Sequence, residues 1–309
     1  MTTLSIIIVT YNPGAILLDC LRSLPAGVND LTYEVIVVDN ASTDGLVQQA
    51  QAAFPQHRYI LNTDNRGFAG GNNQGLAQAT GDYLLLLNPD VIVESGSLKA
   101  LVAFLEDHPR AGIVGPLTLD AAGQIALTAR PQFTVAVILW QYLGLDRAFP
   151  KRMFGQYRLA SQLGAAPFPV AWVQGSCLLA QRSVYQQIGE LDEGFFLFYE
   201  EPDWCERAAA AGWETWFLPG AVIHHHESTS VSRYPERRIR AYHLSPLHYF
   251  AKRGQVDAIR WLKLGFTVEL GVKLLIRHLQ QLMGQQTVEP ALYSRIMAEV
   301  WRYDPHTSR

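Results

Sequence analysis

Two hydrophobic periods alternate along the first hundred residues. LSIIIVT (4–10), YEVIVV (33–38), the short stretch 58–61 and YLLLL (83–87) are continuous apolar runs of strand length, the first two rich in β-branched side chains. Between them, 14–24, 44–53 and 71–79 carry apolar residues at helical spacing. This alternation predicts an α/β fold: a mostly parallel, Rossmann-like sheet with helices on both faces. Further on, 97–107 reads as a helix, IVGP (113–116) as a strand, and VAWVQGSCLLA (170–180) as a strand interrupted by Gly175. A short helix, 183–188, stops at Gly189. Pro202 suits the first turn of a helix that runs through the alanines to Gly212. Strands follow at 214–218 and 221–226, with helices from about 237. The stretch 130–169, with Pro and Gly around VAVILW, holds no period and reads as an insertion.

Open sheets of this kind bind ligands beyond the carboxyl ends of their strands. Polar clusters occupy those positions: Tyr11-Asn12, Asp39-Asn40, Asn62 to Asn65, and Asn88 to Asp90. The buried run YLLLL leads straight into Asn88-Pro89-Asp90. Proline ends the ladder, and a carboxylate at the end of a buried strand needs a positive partner. Mg²⁺ or Mn²⁺ on a nucleotide is held in this way, by one or two protein oxygens with phosphate oxygens supplying the rest. An acid at the start of the helix near Ser95 is the competing reading. Asp39, in VVDNASTDG, offers acceptors only and suits the imide N–H of uracil or thymine. A purely turn-shaping role for Asp39 and Asp44 competes with this.

Three further stretches carry candidate chemistry. NRGFAGGNNQG (65–75) places small residues ahead of a helix, where backbone approaches a ligand closely, although it lacks the dinucleotide G-x-G-x-x-G spacing. A plain glycine-rich turn competes. YEEPDW (199–204) sets three carboxylates within four residues, which raises at least one pKa on burial and suits a general base. Acids favoured by the helix dipole are the alternative. In HHHE (224–227), His224 and His226 share one face of a strand, and one of them can complete a metal site or meet a phosphate; loop histidines are the alternative.

Composition narrows the class. The chain has 309 residues, 49% apolar and 17% charged, enough for one large domain with additions or two small ones. A net charge of −3 argues against a general nucleic-acid binder. Cys20, Cys177 and Cys205 make neither a disulfide framework nor a zinc site and fit a reducing cytoplasm. The N-terminal apolar run is strand-length and has no basic segment before it, so no targeting peptide is expected. WLKLGFTVELGVKLLIRHL carries Lys263, Glu269, Lys273 and Arg277, which excludes a simple spanning helix and leaves only peripheral membrane contact.

The order of these motifs is more specific than any one of them. SIIIVTYN (5–12), VVDNASTDG (37–45), NRGFAGGNNQG (65–75), GDYLLLLNPD (81–90), WVQGSCLLA (172–180) and FFLFYEEPDWCERAAAAGW (195–213) follow one another. This succession, over roughly 4–250, resembles the family 2 glycosyltransferases of GT-A fold, especially their bacterial rhamnosyltransferase-like branch. The resemblance implies a nucleotide-sugar-binding half (1–95), an acceptor-binding and catalytic half (96–236), and a C-terminal helical extension (237–309). It implies an inverting transfer of one sugar from a UDP- or dTDP-sugar, rhamnose-like or other, to a glycan or lipid-linked acceptor in cell-surface polysaccharide synthesis.

By that resemblance, Asp39 binds the base, with Thr10, Tyr11, Asn12, Asn40, Ser42, Asn65, Gly67, Phe68, Gly71, Asn72 and Asn88 around the nucleotide. Asp90 matches the last acid of the family's Asp-x-Asp, and Asn88 stands where many members carry the first. Asp90 and His224 hold Mn²⁺ or Mg²⁺. Glu201 falls at the catalytic base, with Asp203 a second candidate. Trp172, Gly175, Ser176, Glu200 and Trp204 line the acceptor side. The processive synthases' Gln-x-x-Arg-Trp motif is absent, since Gln255 lies too far from Arg260-Trp261. The implied location is cytoplasmic, peripheral at the inner face of the plasma membrane.

Leu264, Val268, Val272, Leu275 and Leu279 fall near one helical face, with Lys263, Lys273 and Arg277 elsewhere. That face suits packing on the protein's own core, a homodimer contact, or an interfacial membrane helix. Two rival functions are a nucleotidyltransferase, for which the loop after the first strand offers no basic residue, and a non-catalytic sugar-nucleotide or glycan-binding module.

Overall fold

The computed structural model describes residues 3–145, 165–226, 235–285 and 288–305. In chain order its elements begin with β1 (Thr3–Thr10), α1 (Ile16–Val28), β2 (Thr32–Asp39), α2 (Leu46–Ala53), β3 (Arg58–Leu61), α3 (Gly67–Gln78) and β4 (Tyr83–Leu87). Then come β5 (Val91–Val93), α4 (Ser97–Asp107), β6 (Ala111–Leu119), β7 (Ile125–Ala126), β8 (Ala129–Arg130) and α5 (Val135–Tyr142). The chain continues through β9 (Phe168–Val170), β10 (Trp172–Val173), β11 (Cys177–Gln181), α6 (Arg182–Ile188), α7 (Glu200–Ala210) and β12 (Glu214–His225). It ends in α8 (Pro235–Lys252), α9 (Val256–Leu282) and α10 (Pro290–Arg302).

Two compact units result. The first comprises Met1–Gln132, Gln156–Glu193 and Glu200–Ser230. Its main sheet runs β3-β2-β1-β4-β11-β6-β12-β5, with β7 beside β6 and β9 beside β12. β3, β2, β1 and β4 are parallel to one another, as the alternating pattern predicts. β11 enters the middle antiparallel to both β4 and β6. The sheet is therefore mixed at its centre, an order that periodicity alone does not reveal. One apolar cluster, with Ile6, Ile8, Leu85 and Leu87, packs against α1 and α4; the other, with Ile7, Leu84, Leu86 and Trp204, packs against α3 and α7. Successive residues of β1 and β4 thus feed opposite layers, and both layers are buried.

Three expectations change. The glycines of 65–75 lie mostly inside α3 rather than in a loop before it. The reason is packing: a Cβ on Gly71 would stand 2.6 Å from Val9 Cγ1, and one on Gly75 2.4 Å from Ile7 Cγ2. These glycines let α3 press onto β1. The strand expected across 170–180 is two: β10 pairs with β8 in a separate small sheet, and β11 joins the main one. The two strands expected at 214–226 are one, β12, with a register shift between Leu218 and Val222 that absorbs Pro219-Gly220.

The second unit comprises Phe133–Gly155, Gly194–Tyr199 and Val231–Arg309. The apolar run VAVILW of the expected insertion forms much of α5, capped by Thr134, whose Oγ1 accepts the Val137 N–H; residues 146–164 of that insertion lie outside the described residues. Ile138, Phe195, Leu247, Leu262, Phe266 and Val300 form this unit's core. Within it, His243 Nε2 meets Glu269 Oε2 at 3.0 Å, and Lys273 closes on the same carboxylate. Burial pushes Glu269 up, but His243 and Lys273 outweigh it and hold the carboxyl below its ordinary range. No helix among the described residues is long and apolar enough to cross a membrane.

Candidate active site

The candidate residues fall in the first unit, at the carboxyl ends of β1, β2 and β4 and around them. Two adjoining loops are stitched together there. The Asn12 N–H donates to Ser42 Oγ at 2.8 Å, the Thr43 N–H to Asn12 Oδ1 at 2.7 Å, and the Gly14 N–H to Asp44 Oδ2 at 3.0 Å. Asn12 and Ala41 both adopt left-handed backbone, with φ of 47° and 65°. For alanine that conformation is costly and persists only where neighbours impose it. Asp39 is 4% exposed; its Oδ1 accepts the Ser42 N–H at 3.1 Å, and its Oδ2 makes no hydrogen bond among the described residues. One carboxylate oxygen thus fixes the turn while the other is available as an acceptor. The turn-forming reading of Asp39 is met by its Oδ1.

Several neighbours of Asp39 are occupied by the scaffold. Asn40 Nδ2 donates to the Gly67 carbonyl at 2.9 Å, and Asn40 Oδ1 accepts from Asn62 Nδ2 at 3.0 Å. Asn65 Oδ1 accepts the Gly67 N–H, and Asn72 donates to the Phe68 carbonyl. Asn40 and Asn62 therefore hold α3 to the ends of β2 and β3, Asn62 also donating to Gln74 Oε1, while the Asn65 bond fixes the start of α3 and the Asn72 bond stays within it. Thr10 is buried, and its carbonyl accepts the Asn40 N–H at 2.8 Å.

Beyond β4, the chain turns through Asn88-Pro89-Asp90 into β5. The Asn88 N–H donates to the Ser176 carbonyl at 2.9 Å, and the His226 N–H to the Asp90 carbonyl at 3.0 Å. Beneath the turn, the Cys20 thiol lies 3.7 Å from the Asn88 carbonyl, its pKa pushed up by burial and by the charge of Asp90. The partner of Asp90 is a histidine, but not the expected one. His225 Nε2 is 3.1 Å from Asp90 Oδ1 and 3.4 Å from Asn88 Nδ2. His224 points elsewhere, its Nε2 2.8 Å from Glu94 Oε1. The correction follows from strand alternation. Ala221 and Ile223 are buried in one core layer, and a period of two carries that face to position 225.

An imidazole nitrogen and a carboxylate oxygen, both largely buried, suit Mn²⁺ or Mg²⁺ when phosphate oxygens complete the shell. Among the described residues no cluster of three or more His, Cys, Asp or Glu side chains stands ready for a metal. The Asp90–His225 pair offers one oxygen and one nitrogen ligand to a divalent cation.

The second focus is Glu201, 9% exposed at the start of α7. Its Oε1 accepts the Gly175 N–H at 2.9 Å, and Glu200 is hydrogen-bonded to it. Burial raises the Glu201 pKa above its ordinary 4.5, against the lowering effect of these hydrogen bonds. Gly175 lies between two side chains: a Cβ there would meet Glu201 Oε1 at 2.7 Å and Phe68 Cζ at 3.0 Å. Through Gly175 and Ser176, the same short segment touches Glu201 on one side and Asn88 on the other.

Other expected residues serve the frame. Asp203 Oδ2 is 3.0 Å from Arg207 Nε, and Arg207 also donates to the carbonyls of Ile188 and Glu190. Trp204 is fully buried, with its indole N–H on the Gly189 carbonyl at 2.9 Å, so it is a core residue rather than an acceptor-facing one. Trp172 donates to the Pro131 carbonyl at 2.9 Å, with the Arg130 guanidinium 6.0 Å from its ring. Asn73, which sequence reasoning passes over, clasps Leu191 through both its amide atoms, at 2.9 and 3.0 Å. An asparagine deep in a helix pattern is the only sequence sign of it.

Comparison with known proteins identifies the family and the fold. Residues 5–159 match the profile of Glycosyl transferase family 2. The chain is 32% identical over 261 residues to the N-acetylglucosaminyl-diphospho-decaprenol L-rhamnosyltransferase of Mycobacterium tuberculosis, covering 81% of this chain and 84% of that protein. It is 27% identical over 237 residues to Rhamnosyltransferase WbbL of Escherichia coli, covering 73% and 85%. Among solved structures, mannosyltransferase PcManGT from Pyrobaculum calidifontis in complex with GDP-Man and Mn²⁺ superposes with a TM-score of 0.52 at 18% identity, over 98% of this chain and 81% of that one. S. aureus TarS 1–349 does so at 0.52 and 16%, over 99% and 72%. The fold is thus GT-A, and the nucleotidyltransferase and binding-module readings give way to a glycosyltransferase. With its motifs in order along the chain and a relative this similar over most of its length, the chain belongs to glycosyl transferase family 2, in its rhamnosyltransferase-like branch.

Proposed function

We propose that this glycosyltransferase moves one sugar, with inversion, from a pyrimidine nucleotide sugar to a lipid-linked saccharide in cell-surface polysaccharide synthesis. The relatives named for L-rhamnose transfer, one of them to an N-acetylglucosaminyl-diphospho-decaprenol acceptor, support a dTDP- or UDP-linked, rhamnose-like donor and a polyprenyl diphosphate acceptor. Three free cysteines support a reducing, cytoplasmic compartment, where nucleotide sugars are made.

In this reading, Asp39 Oδ2 accepts the imide N–H of the base. Asp90 and His225, with Asn88 beside them, would hold Mn²⁺ or Mg²⁺ at the diphosphate end of the donor. When bound, the cation offsets the charge that gathers on the departing diphosphate. Glu201 takes the proton from an acceptor hydroxyl as that oxygen attacks the anomeric carbon from the face opposite the diphosphate. The Gly175 N–H fixes Glu201 Oε1 and so orients the carboxylate. Asp203, paired with Arg207, is a positioning residue for α7. The observation that carries the reading is a buried carboxylate with a raised pKa joined, through Gly175 and Ser176, to the turn that bears Asp90.

Thermal unfolding with UDP, dTDP and GDP, each with and without Mn²⁺, tests it. Ligand at 100 times its dissociation constant adds about 2.7 kcal/mol. A shift with one pyrimidine diphosphate that needs Mn²⁺ and disappears in Asp90→Asn supports the donor site; no shift with either pyrimidine nucleotide rules it out.

A further inference from the structure

Helix α9 has two apolar faces. One, with Ile259, Leu262, Phe266 and Leu270, is buried in the second unit. The other carries Trp261, Val268, Val272, Leu275, Leu279 and Leu282, each between 49% and 84% exposed. Their spacing of three, four or seven residues puts them in one stripe. At 1.5 Å per residue the stripe extends about 32 Å. Trp301 of α10, anchored by its indole N–H on Thr267 Oγ1 at 2.9 Å, adds a second exposed tryptophan beside it. Six of the fifteen large apolar side chains exposed among the described residues lie on this one face, with Trp301 a seventh beside it, and such a concentration marks an interaction surface.

Charge decides between the candidate occupants. Residues 235–309 contain twelve Lys and Arg against six Asp and Glu, whereas the rest of the chain contains thirteen against twenty-two. On α9 itself Arg260 and Lys273 are each paired with an acid, Asp257 and Glu269, while Lys263 and Arg277 lie on the side of the helix opposite the stripe. A second copy would bring two segments of net charge +6 together. An anionic lipid surface complements them, and tryptophans at the border of an apolar stripe suit the headgroup layer. We propose that the exposed face of α9, bordered by Trp261 and Trp301, docks onto a bilayer containing anionic phospholipid. The inference rests on unit-two packing and charge, not on the donor or acceptor reading, and its test uses neither substrate.

The test is flotation of the full chain with vesicles of phosphatidylcholine alone and of phosphatidylcholine mixed with phosphatidylglycerol, at low and high salt. The expected result is flotation with the anionic vesicles, weakened by salt. The variant Val268→Glu/Leu275→Glu should lower it roughly tenfold or more, since such association follows buried apolar area. Both positions are exposed, and a thermal melt checks folding; Val268→Ser/Leu275→Ser serves if the glutamates disturb it. Equal flotation with both vesicle types, flotation unchanged by the substitutions, or no flotation of the wild type overturns the proposal. Sedimentation velocity runs in parallel: a dimer that the same substitutions dissolve, without vesicle binding, assigns the face to a second copy and overturns it too.

Discussion

His225 Nε2 lies 3.1 Å from Asp90 Oδ1, while the adjacent His224 faces Glu94. The two histidines therefore differ in consequence despite being neighbours. His225→Ala should weaken Mn²⁺-dependent binding of the nucleotide diphosphate by about 10–100-fold, the usual range for residues that support a metal. His224→Ala should leave it near wild type. Titration calorimetry on both variants, with and without Mn²⁺, distinguishes them; equal losses would mean that the pairing with Asp90 is unimportant.

Glu201→Gln keeps the shape and the Gly175 contact but cannot take a proton. Turnover should fall about 10²–10⁴-fold while donor binding is retained. Asp203→Asn should behave differently, because Asp203 is buried against Arg207. Breaking a buried pair costs about 3–5 kcal/mol, so its effect should appear in the melting curve before it appears in kcat. Near-normal transfer by Glu201→Gln would transfer the base role elsewhere.

The raised pKa of Glu201 has a sign that can be read twice. A base must be ionised, so kcat/KM should rise with pH along a limb centred above 4.5. For stability, the folded state holds the proton over the window between 4.5 and the raised value while the unfolded state has lost it. Stability therefore falls as pH rises through that window, and the penalty remains above it. Glu201→Gln should be the more stable protein at pH 7 to about the extent of that penalty, and the advantage should vanish below pH 4.5. Paired melts across pH measure this directly. An advantage that grows on acidification would contradict the assignment.

Gly175→Ala inserts a methyl group 2.7 Å from Glu201 Oε1 and 3.0 Å from Phe68 Cζ. Glu201 must move to admit it. We expect a fall in kcat of about 10²-fold, typical of a misplacement of roughly 1 Å, with little change in donor affinity. An unaltered kcat would show that the Gly175 N–H does not set the geometry of the base.

Ala41 lies in the turn after β2 with φ of 65°. Ala41→Gly should relieve about 1 kcal/mol of backbone strain, lessened by the greater freedom of glycine in the unfolded chain. A higher midpoint in urea with an unchanged slope is the expected result.

Much of the parallel half of the sheet was legible, because β1, β2 and β4 are continuous apolar runs bounded by turn residues. YLLLL at 83–87 coincides with β4 residue for residue. Position 225 was not legible, because three consecutive histidines offer two registers and only the burial of Ala221 and Ile223 selects one. The first turn of α3, from Gly67 to Gly70, was hidden for a different reason: glycine's poor helix propensity makes that stretch read as a loop before the helix. Trp204 was misplaced toward the acceptor because a large aromatic beside acids suits either a site or a core. The C-terminal stripe was visible by period, but only exposure shows that the buried face of α9 is the other one, with Leu262 and Phe266.

The antiparallel entry of β11 has a consequence for synthesis on the ribosome. Leu87 finds its neighbour Cys177 ninety residues later. At bacterial elongation rates the nascent chain waits on the order of ten seconds for that partner. Throughout that interval one side of YLLLL is an unpaired, wholly apolar edge, the kind of surface that recruits other chains. Overexpression at lowered temperature, or with a holdase chaperone supplied, should therefore raise the yield of native protein more than any change to the finished fold.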